Sequence, residues 1–178
     1  MTARLFVALE LPAAVRADLA AFGHAAAAAD PALRAVSEDA LHLTLAFLGH
    51  RDPADIDPAG EAVRGVRSTA PVLALGDALW LAPRRPHVLT VALTGMLAPL
   101  HAQVVERLVA ALDWEADARP FRPHVTVARV RRGARPHREL PDPPQAAFAG
   151  EAVVLYRSHL GRGPARYEPL ARVSLSSQ

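Results

Sequence analysis

Two short segments of this chain carry one pattern. Leu41-His42-Leu43-Thr44-Leu45-Ala46 and Pro123-His124-Val125-Thr126-Val127-Ala128 both read His, aliphatic, Thr, aliphatic, Ala. Eight His and six Thr in 178 residues give by chance about 0.3 cases of a Thr two places after a His. Two cases with matching neighbours therefore point to a repeated element. An imidazole titrates near pH 6.5, so of two neighbouring rings one can hold a proton while the other accepts one. Phosphoryl transfer needs that division: one group deprotonates the nucleophile, another protonates the leaving oxygen, and donors neutralise the remaining oxygens. Thr44 and Thr126 are of the right type to be the donors. A lone His on a strand is more often a packed residue than a catalyst, and it is the duplication that turns the reading toward chemistry.

Composition removes most competing mechanisms. The chain has no cysteine, which excludes a disulfide framework, a zinc ribbon and a thiol nucleophile. All 20 basic residues are Arg, which excludes Schiff-base chemistry and the lysine of a phosphate-binding P-loop. Neither motif contains Asp or Glu, and Thr neighbours suit oxyanions better than cations, so neither metal nor cofactor is expected. The pI of about 9.9 rests on a net charge of only +2. Arginine does not titrate in the ordinary range, so the local placement of arginines, not the pI, would have to argue for an anionic partner. A hydrophobic share of 51%, a charged share of 21% and a mean hydropathy of +0.12 describe a chain that folds. No apolar window is long enough for a membrane span, and the first ten residues are too short for a signal peptide. A cytoplasmic location without membrane contact is expected.

The elements that must position the motifs follow from periodicity and punctuation. Leu5 to Leu9 predicts a strand and Pro12 the start of a helix to about Ala29, which Asp30-Pro31 ends. Leu41 to Leu48 predicts a strand closed by Gly49, and Pro53 to Val66 a second helix. Val72 to Ala82 and His87 to Leu93 form an expected hairpin around Pro83-Arg84-Arg85-Pro86. Leu97, His101, Val104, Leu108 and Leu112 recur at helical spacing, and His124 to Val130 reads as a strand. Arg131 to Pro144 has no period and is expected to be a loop. Two last strands, Ala147 to His159 and Arg166 to Leu175, flank Gly161-Arg162-Gly163-Pro164. This order predicts an α+β domain, mainly antiparallel, with helices outside.

On a strand, residues two apart share a face. Each motif His would then point with its Thr into a cleft, while Leu43, Leu45, Val125 and Val127 point into the core. Ala46 and Ala128 would continue the cleft face and leave room for a ligand.

With these motifs in place, the chain resembles the two-histidine (2H) phosphoesterase superfamily, whose hallmark is a pair of His-x-Thr-x motifs. It is most similar to the branch of bacterial and archaeal RNA 2′,3′-cyclic phosphodiesterases, also called 2′-5′ RNA ligases. The likeness extends to Arg4 through Pro12, Leu41 through Gly49, Arg119 through Arg129, Leu155 through Ser158 and Arg166 through Leu170, in family order. Val127, where Leu is common, is the visible departure and falls on the core side. The resemblance implies one bilobal, pseudo-symmetric domain over residues 1–178, with each lobe giving one motif to a central cleft. It also implies metal-independent hydrolysis of RNA 3′ ends bearing a 2′,3′-cyclic phosphate to a 2′-phosphomonoester, together with a reversible 2′-5′ RNA ligase activity, by a monomer. By the same resemblance His42 is the proton donor and His124 the proton acceptor. The residues alone leave the two roles interchangeable, and a bell-shaped pH dependence is expected either way. An esterase for a small cyclic nucleotide or nucleotide-sugar cyclic phosphate would use the same residues. A non-catalytic RNA-end binding module would not need both pairs intact.

Arg129 follows the second motif as an Arg does in the family and offers a planar fork for a phosphate. Strict alternation turns it away from His124, so a bulge would be needed to bring it round. Arg131, Arg132, Arg135 and Arg138 offer either a grip on RNA or merely a solvated loop. Phe6, Phe47, Phe121, Tyr156 and Tyr167 are candidates for stacking a terminal base. His50, His87, His101, His137 and His159 have no partner at informative spacing.

Overall fold

The structure is a computed structural model that describes residues 2–82, 84–137, 139–159 and 165–176. Alternating apolar residues build its strands. In β1 (Ala3–Leu9) Leu5, Val7 and Leu9 are fully buried, and Leu43 in β3 (Leu43–Arg51) and Val125 and Val127 in β6 (His124–Val130) are buried in the same way. Each such side chain gains about 1.5–3 kcal/mol from leaving water, which fixes the face each strand turns inward.

The remaining elements are α1 (Ala13–Ala29), β2 (Leu33–Ala35), α2 (Ile56–Arg64), β4 (Val72–Leu81), β5 (Val88–Gly95), α3 (Ala98–Ala111), β7 (Ala147–Ala149), β8 (Ala152–His159) and β9 (Arg166–Ser174). Among the described residues the strands form one curled antiparallel sheet in the order β7-β4-β5-β6-β3-β1-β8-β9, with β2 added against β6. The α+β expectation holds. No helix among the described residues is long and apolar enough to cross a membrane.

The two motif strands are neighbours at the middle of this order and are joined there by one pairing, Leu43 with Val125. On either side stand β1 beside β3 and β5 beside β6. The chain crosses over in both directions: β4, which follows the first motif, pairs with β5, and β8, which follows the second, pairs with β1. Helix α1 packs on β2 and β6, and α3 packs on β3 and α2. In α1 the contact is close at Gly23, where a Cβ would lie 2.6 Å from the Val127 carbonyl oxygen. Any larger residue there would push the helix off the second motif strand.

Several boundaries differ from the sequence expectation. His42 stands one residue before β3, and β3 runs through Gly49 to Arg51 because Gly49 adopts φ +74, a conformation open to glycine. The second helix is a 3₁₀ turn, Pro53–Asp55, capped by the Asp52 carboxylate, followed by α2. The long strand expected over Ala147 to His159 is broken at Gly150-Glu151, where the chain leaves β4 for β1. Gly150 fits there against the Leu9 side chain, which a Cβ would approach to 2.8 Å. The expected turn over 161–164, Pro83 of the β4–β5 turn and Arg138 lie outside the described residues.

Candidate active site

Antiparallel pairing of Leu43 with Val125 sets the phase of the whole site. Both residues point into the core, so their neighbours point out on the same side, and antiparallel register sets His42 level with Thr126 and Thr44 level with His124. All four line a cavity of about 130 Å³. Each ring is held in the same way. His42 Nδ1 lies 2.8 Å from the Ala40 carbonyl oxygen and His124 Nδ1 lies 2.7 Å from that of Arg122, in both cases two residues back. A carbonyl only accepts, so each Nδ1 carries a hydrogen and each Nε2 is left to do chemistry. His42 Nε2 is 3.1 Å from Thr44 Oγ1, which donates to it when the ring is neutral.

Alternation fails just after each Thr, and it fails in the same way. Against β1, Thr44 pairs with Ala8 and Ala46 with Val7, leaving Leu45 as an extra residue. Against β5, Thr126 pairs with Thr90 and Ala128 with Leu89, leaving Val127 extra. Each β-bulge puts two successive residues on the buried side and returns the next one to the cleft. Ala46 and Ala128 are therefore buried and do not line the cavity, contrary to expectation. Phe47 and Arg129 line it instead. The bulge that Arg129 needs is present, and strict alternation was the wrong guide to it.

The surroundings of the two rings differ. Phe6 lies 4.8 Å from the His42 ring, Tyr167 meets it edge-on at 5.2 Å, and Tyr156 is 6.5 Å away. Burial among these rings, aided by the nearby charges of Arg129 and His124, lowers the His42 pKa to about 4 against the pull of Ala40. His124 has no aromatic neighbour of this kind among the described residues. Behind His42 a second cavity of about 220 Å³ shares His42 and Tyr167 as its wall with the first. Glu10 braces this wall, accepting from the Tyr156 hydroxyl at 3.1 Å and from Arg172 Nε at 2.9 Å. Burial and the Glu10 charge push the Tyr156 hydroxyl up, so it stays a donor.

Of the aromatic candidates, Phe6, Phe47 and Tyr167 line the first cavity and Tyr156 the second. Phe121 is elsewhere, stacked on His101 at 3.8 Å. The arginine loop is pinned rather than free at its root. Arg131 Nε lies 3.2 Å from the carbonyl oxygens of both Pro31 and Leu33, and buried Asp30 accepts from the backbone of Ala32 and His137. Arg132 and Arg135 are exposed. Three residues of the first cavity went unread as such in the sequence: Arg4, Val36 and Ala40, whose carbonyl holds His42. Arg4 lines the cavity with its guanidinium 4.8 Å over the Phe47 ring, and Val36 reaches it from the end of β2. Arg4 alternates with Leu5 in an apolar strand, which is a local signal; Val36 has none. Among the described residues no three His, Asp or Glu side chains are grouped to hold a metal ion.

Known proteins resemble this chain in sequence and in fold. A family model described as LigT like Phosphoesterase matches residues 9–90, which include the first motif. The RNA 2′,3′-cyclic phosphodiesterase of Escherichia coli K12 is 34% identical over 185 residues, covering 97% of each chain. The RNA 2′,3′-cyclic phosphodiesterase of Geobacillus stearothermophilus is 32% identical over 180 residues, 96% of this chain, which spans 56% of that relative's length. Among solved structures, E. coli LigT complexed with 3′-AMP superposes with a TM-score of 0.79 at 28% identity, covering 99% of this chain and 100% of that one.

Proposed function

The chain belongs to the LigT-like phosphoesterases of the 2H superfamily, and from that premise we propose that it hydrolyses the 2′,3′-cyclic phosphate at RNA 3′ ends to a 2′-phosphomonoester. The observation that carries the reading is the convergence of His42, Thr44, His124, Thr126 and Arg129 on one cavity. The names of these relatives supply the substrate class.

In this reaction His124 takes a proton from water as the water oxygen bonds to phosphorus. The bond from phosphorus to the 3′ oxygen breaks, and His42 gives that oxygen a proton. Thr44, Thr126 and Arg129 donate to the non-bridging oxygens, where charge accumulates. The bound phosphate has a further effect on His42. In the empty cleft its pKa of about 4 leaves the ring neutral at pH 7, with the Thr44 hydroxyl spent on Nε2. An anion beside the ring opposes the desolvation and favours the imidazolium. Nε2 then carries the proton to be donated, and the Thr44 hydroxyl is released to turn toward the phosphate.

With an RNA 5′-hydroxyl in place of water, the same steps form a 2′-5′ phosphodiester from the cyclic phosphate as the 3′ oxygen leaves, which is the ligase activity. Both motifs come from one chain, which supports a monomer acting as a single bilobal unit, and an RNA substrate supports a cytoplasmic location. No step calls for a metal. The test is incubation, in EDTA, with an oligoribonucleotide ending in a 2′,3′-cyclic phosphate, followed by identification of the new end. A 2′-phosphomonoester is the expected product. Unchanged substrate overturns the reading, and activity lost on chelation overturns its metal-free form.

A further inference from the structure

The short strand β2 brings a further arginine to the cleft, beyond Arg129 and Arg4. It pairs with β6 in the register Leu33 to Val130, Arg34 to Arg129 and Ala35 to Ala128. Residues directly opposite in antiparallel strands stand on the same face, with Cβ atoms about 4.5–5.5 Å apart. Arg129 faces the cleft, so Arg34 does too. Val36 bears this out independently, because it lies two residues on, shares the face of Arg34 and lines the cavity.

Like charges set opposite each other destabilise a sheet, and nothing among the described residues relieves this pair. Neither guanidinium has a carboxylate partner, and Arg34 is exposed. Asp30, three residues before β2, is buried and occupied by the backbone N–H groups of Ala32 and His137. An unrelieved pair of guanidinium groups beside a reaction centre is a site for anions. The charge count decides how many. A cyclic phosphodiester brings one negative charge, which Arg129 and the two threonines meet; Arg4 is engaged by Ser158 and the Phe47 ring, and Arg34 is left over.

The path beyond is also basic. Pairing of Val88 with Arg129 and of Leu33 with Val130 brings the β4–β5 turn, the start of β2 and the exit of β6 to one end of the sheet. Arg84, Arg85, Arg132 and Arg135 are exposed there. We propose that Arg34 binds the backbone phosphate next upstream of the reacting one, so that the site reads an RNA strand and not a lone nucleotide. This rests on the phosphodiesterase reading and names its substrate as a polynucleotide end, against the small cyclic nucleotide that the same catalytic residues would accept.

The experiment compares kcat/KM on a nucleoside 2′,3′-cyclic phosphate and on a trinucleotide ending in the same group, for the wild-type chain and for Arg34→Ala, Arg34→Glu and Arg34→Lys. The ratio of the two values, trinucleotide over mononucleotide, should fall about tenfold in Arg34→Ala, further in Arg34→Glu, and least in Arg34→Lys. The salt dependence of the trinucleotide reaction should lose about 0.7 in log–log slope, the share of one single-strand phosphate. Melting of the free Arg34→Ala protein should be at or above the wild-type temperature, since a repulsion is removed. A ratio unchanged in both the Ala and Glu variants, or an equal loss on both substrates with lowered melting, overturns this proposal alone. Wild-type protein inactive on both substrates overturns the phosphodiesterase reading, and this inference with it.

Discussion

The two motif strands begin alike and end differently. Both hold their His by an Nδ1 hydrogen bond to the carbonyl two residues back, both set a Thr beside it, and both bulge one residue after that Thr. The bulge then delivers Phe47 to the cleft on one side and Arg129 on the other. Aromatic rings wall in His42, while the second motif faces arginine. A repeated backbone device thus fixes where atoms sit, and the residues around it set the burial and the charge that each half of the cleft presents. Two like groups become two different ones through desolvation and charge, not through position.

The most direct way to break this pairing is to remove either ring. His42→Ala and His124→Ala should each lower kcat by at least about a hundredfold if both transfer protons, as measured on the cyclic-phosphate oligonucleotide. A variant that keeps a tenth of the activity shows that its half is not a proton-transfer partner.

Next in size is the pH response of His42. Its folded value, about 4, lies below the unfolded value near 6.5, so between them the unfolded chain binds more protons. Stability is then fully present above about pH 6.5 and falls as pH drops toward 4, by up to about 3 kcal/mol. Urea unfolding at pH 7, 5.5 and 4.5 should show this slope, and His42→Gln should flatten it. In kinetics, kcat/KM should be bell-shaped with one limb near pH 4, and the kcat profile should carry that limb at higher pH because bound phosphate favours the imidazolium. Activity rising steadily from pH 5 to 9 contradicts two-imidazole catalysis.

A smaller effect tests the scaffold behind one motif only. Gly23→Ala places a methyl against the Val127 carbonyl at the second bulge, and should cost about 1–3 kcal/mol of stability while lowering kcat in the folded protein. An equally stable, fully active variant would show that α1 does not set the second motif. Smallest is the contrast between the bulge residues. Arg129→Ala should weaken competitive inhibition by inorganic phosphate about tenfold. Phe47→Ala should leave phosphate inhibition unchanged and raise KM for a nucleotide about fivefold through lost stacking. Equal effects of the two on phosphate would erase the distinction between the halves.

Much of the site was legible in the sequence because its logic is local. His42 with Thr44 and His124 with Thr126 share a face at a spacing of two, whatever the strands pair with, and the absence of Cys and Lys narrows the chemistry before any fold is known. The ends of α1, the β4–β5 hairpin and the β6 strand carry their own punctuation and were also readable. Ala46 and Ala128 were misread, and the bulge on which Arg129 depended was not itself readable, for one reason: a bulge is an extra residue relative to a partner strand, and a single strand does not contain its partner. Arg34 had no local signal for the same reason, since its meaning lies in the residue opposite.

The sequence by itself therefore determined the candidate reacting groups and the phase in which each motif presents them, because side-chain alternation is a property of the backbone. Tertiary structure alone decided that the motifs lie side by side, that Phe47 and Arg129 turn inward, and that burial lowers the His42 pKa. Register and desolvation arise between segments distant in the chain: Phe6, Tyr156 and Tyr167 come from three separate strands to surround one imidazole, and nothing in the residues next to His42 announces them.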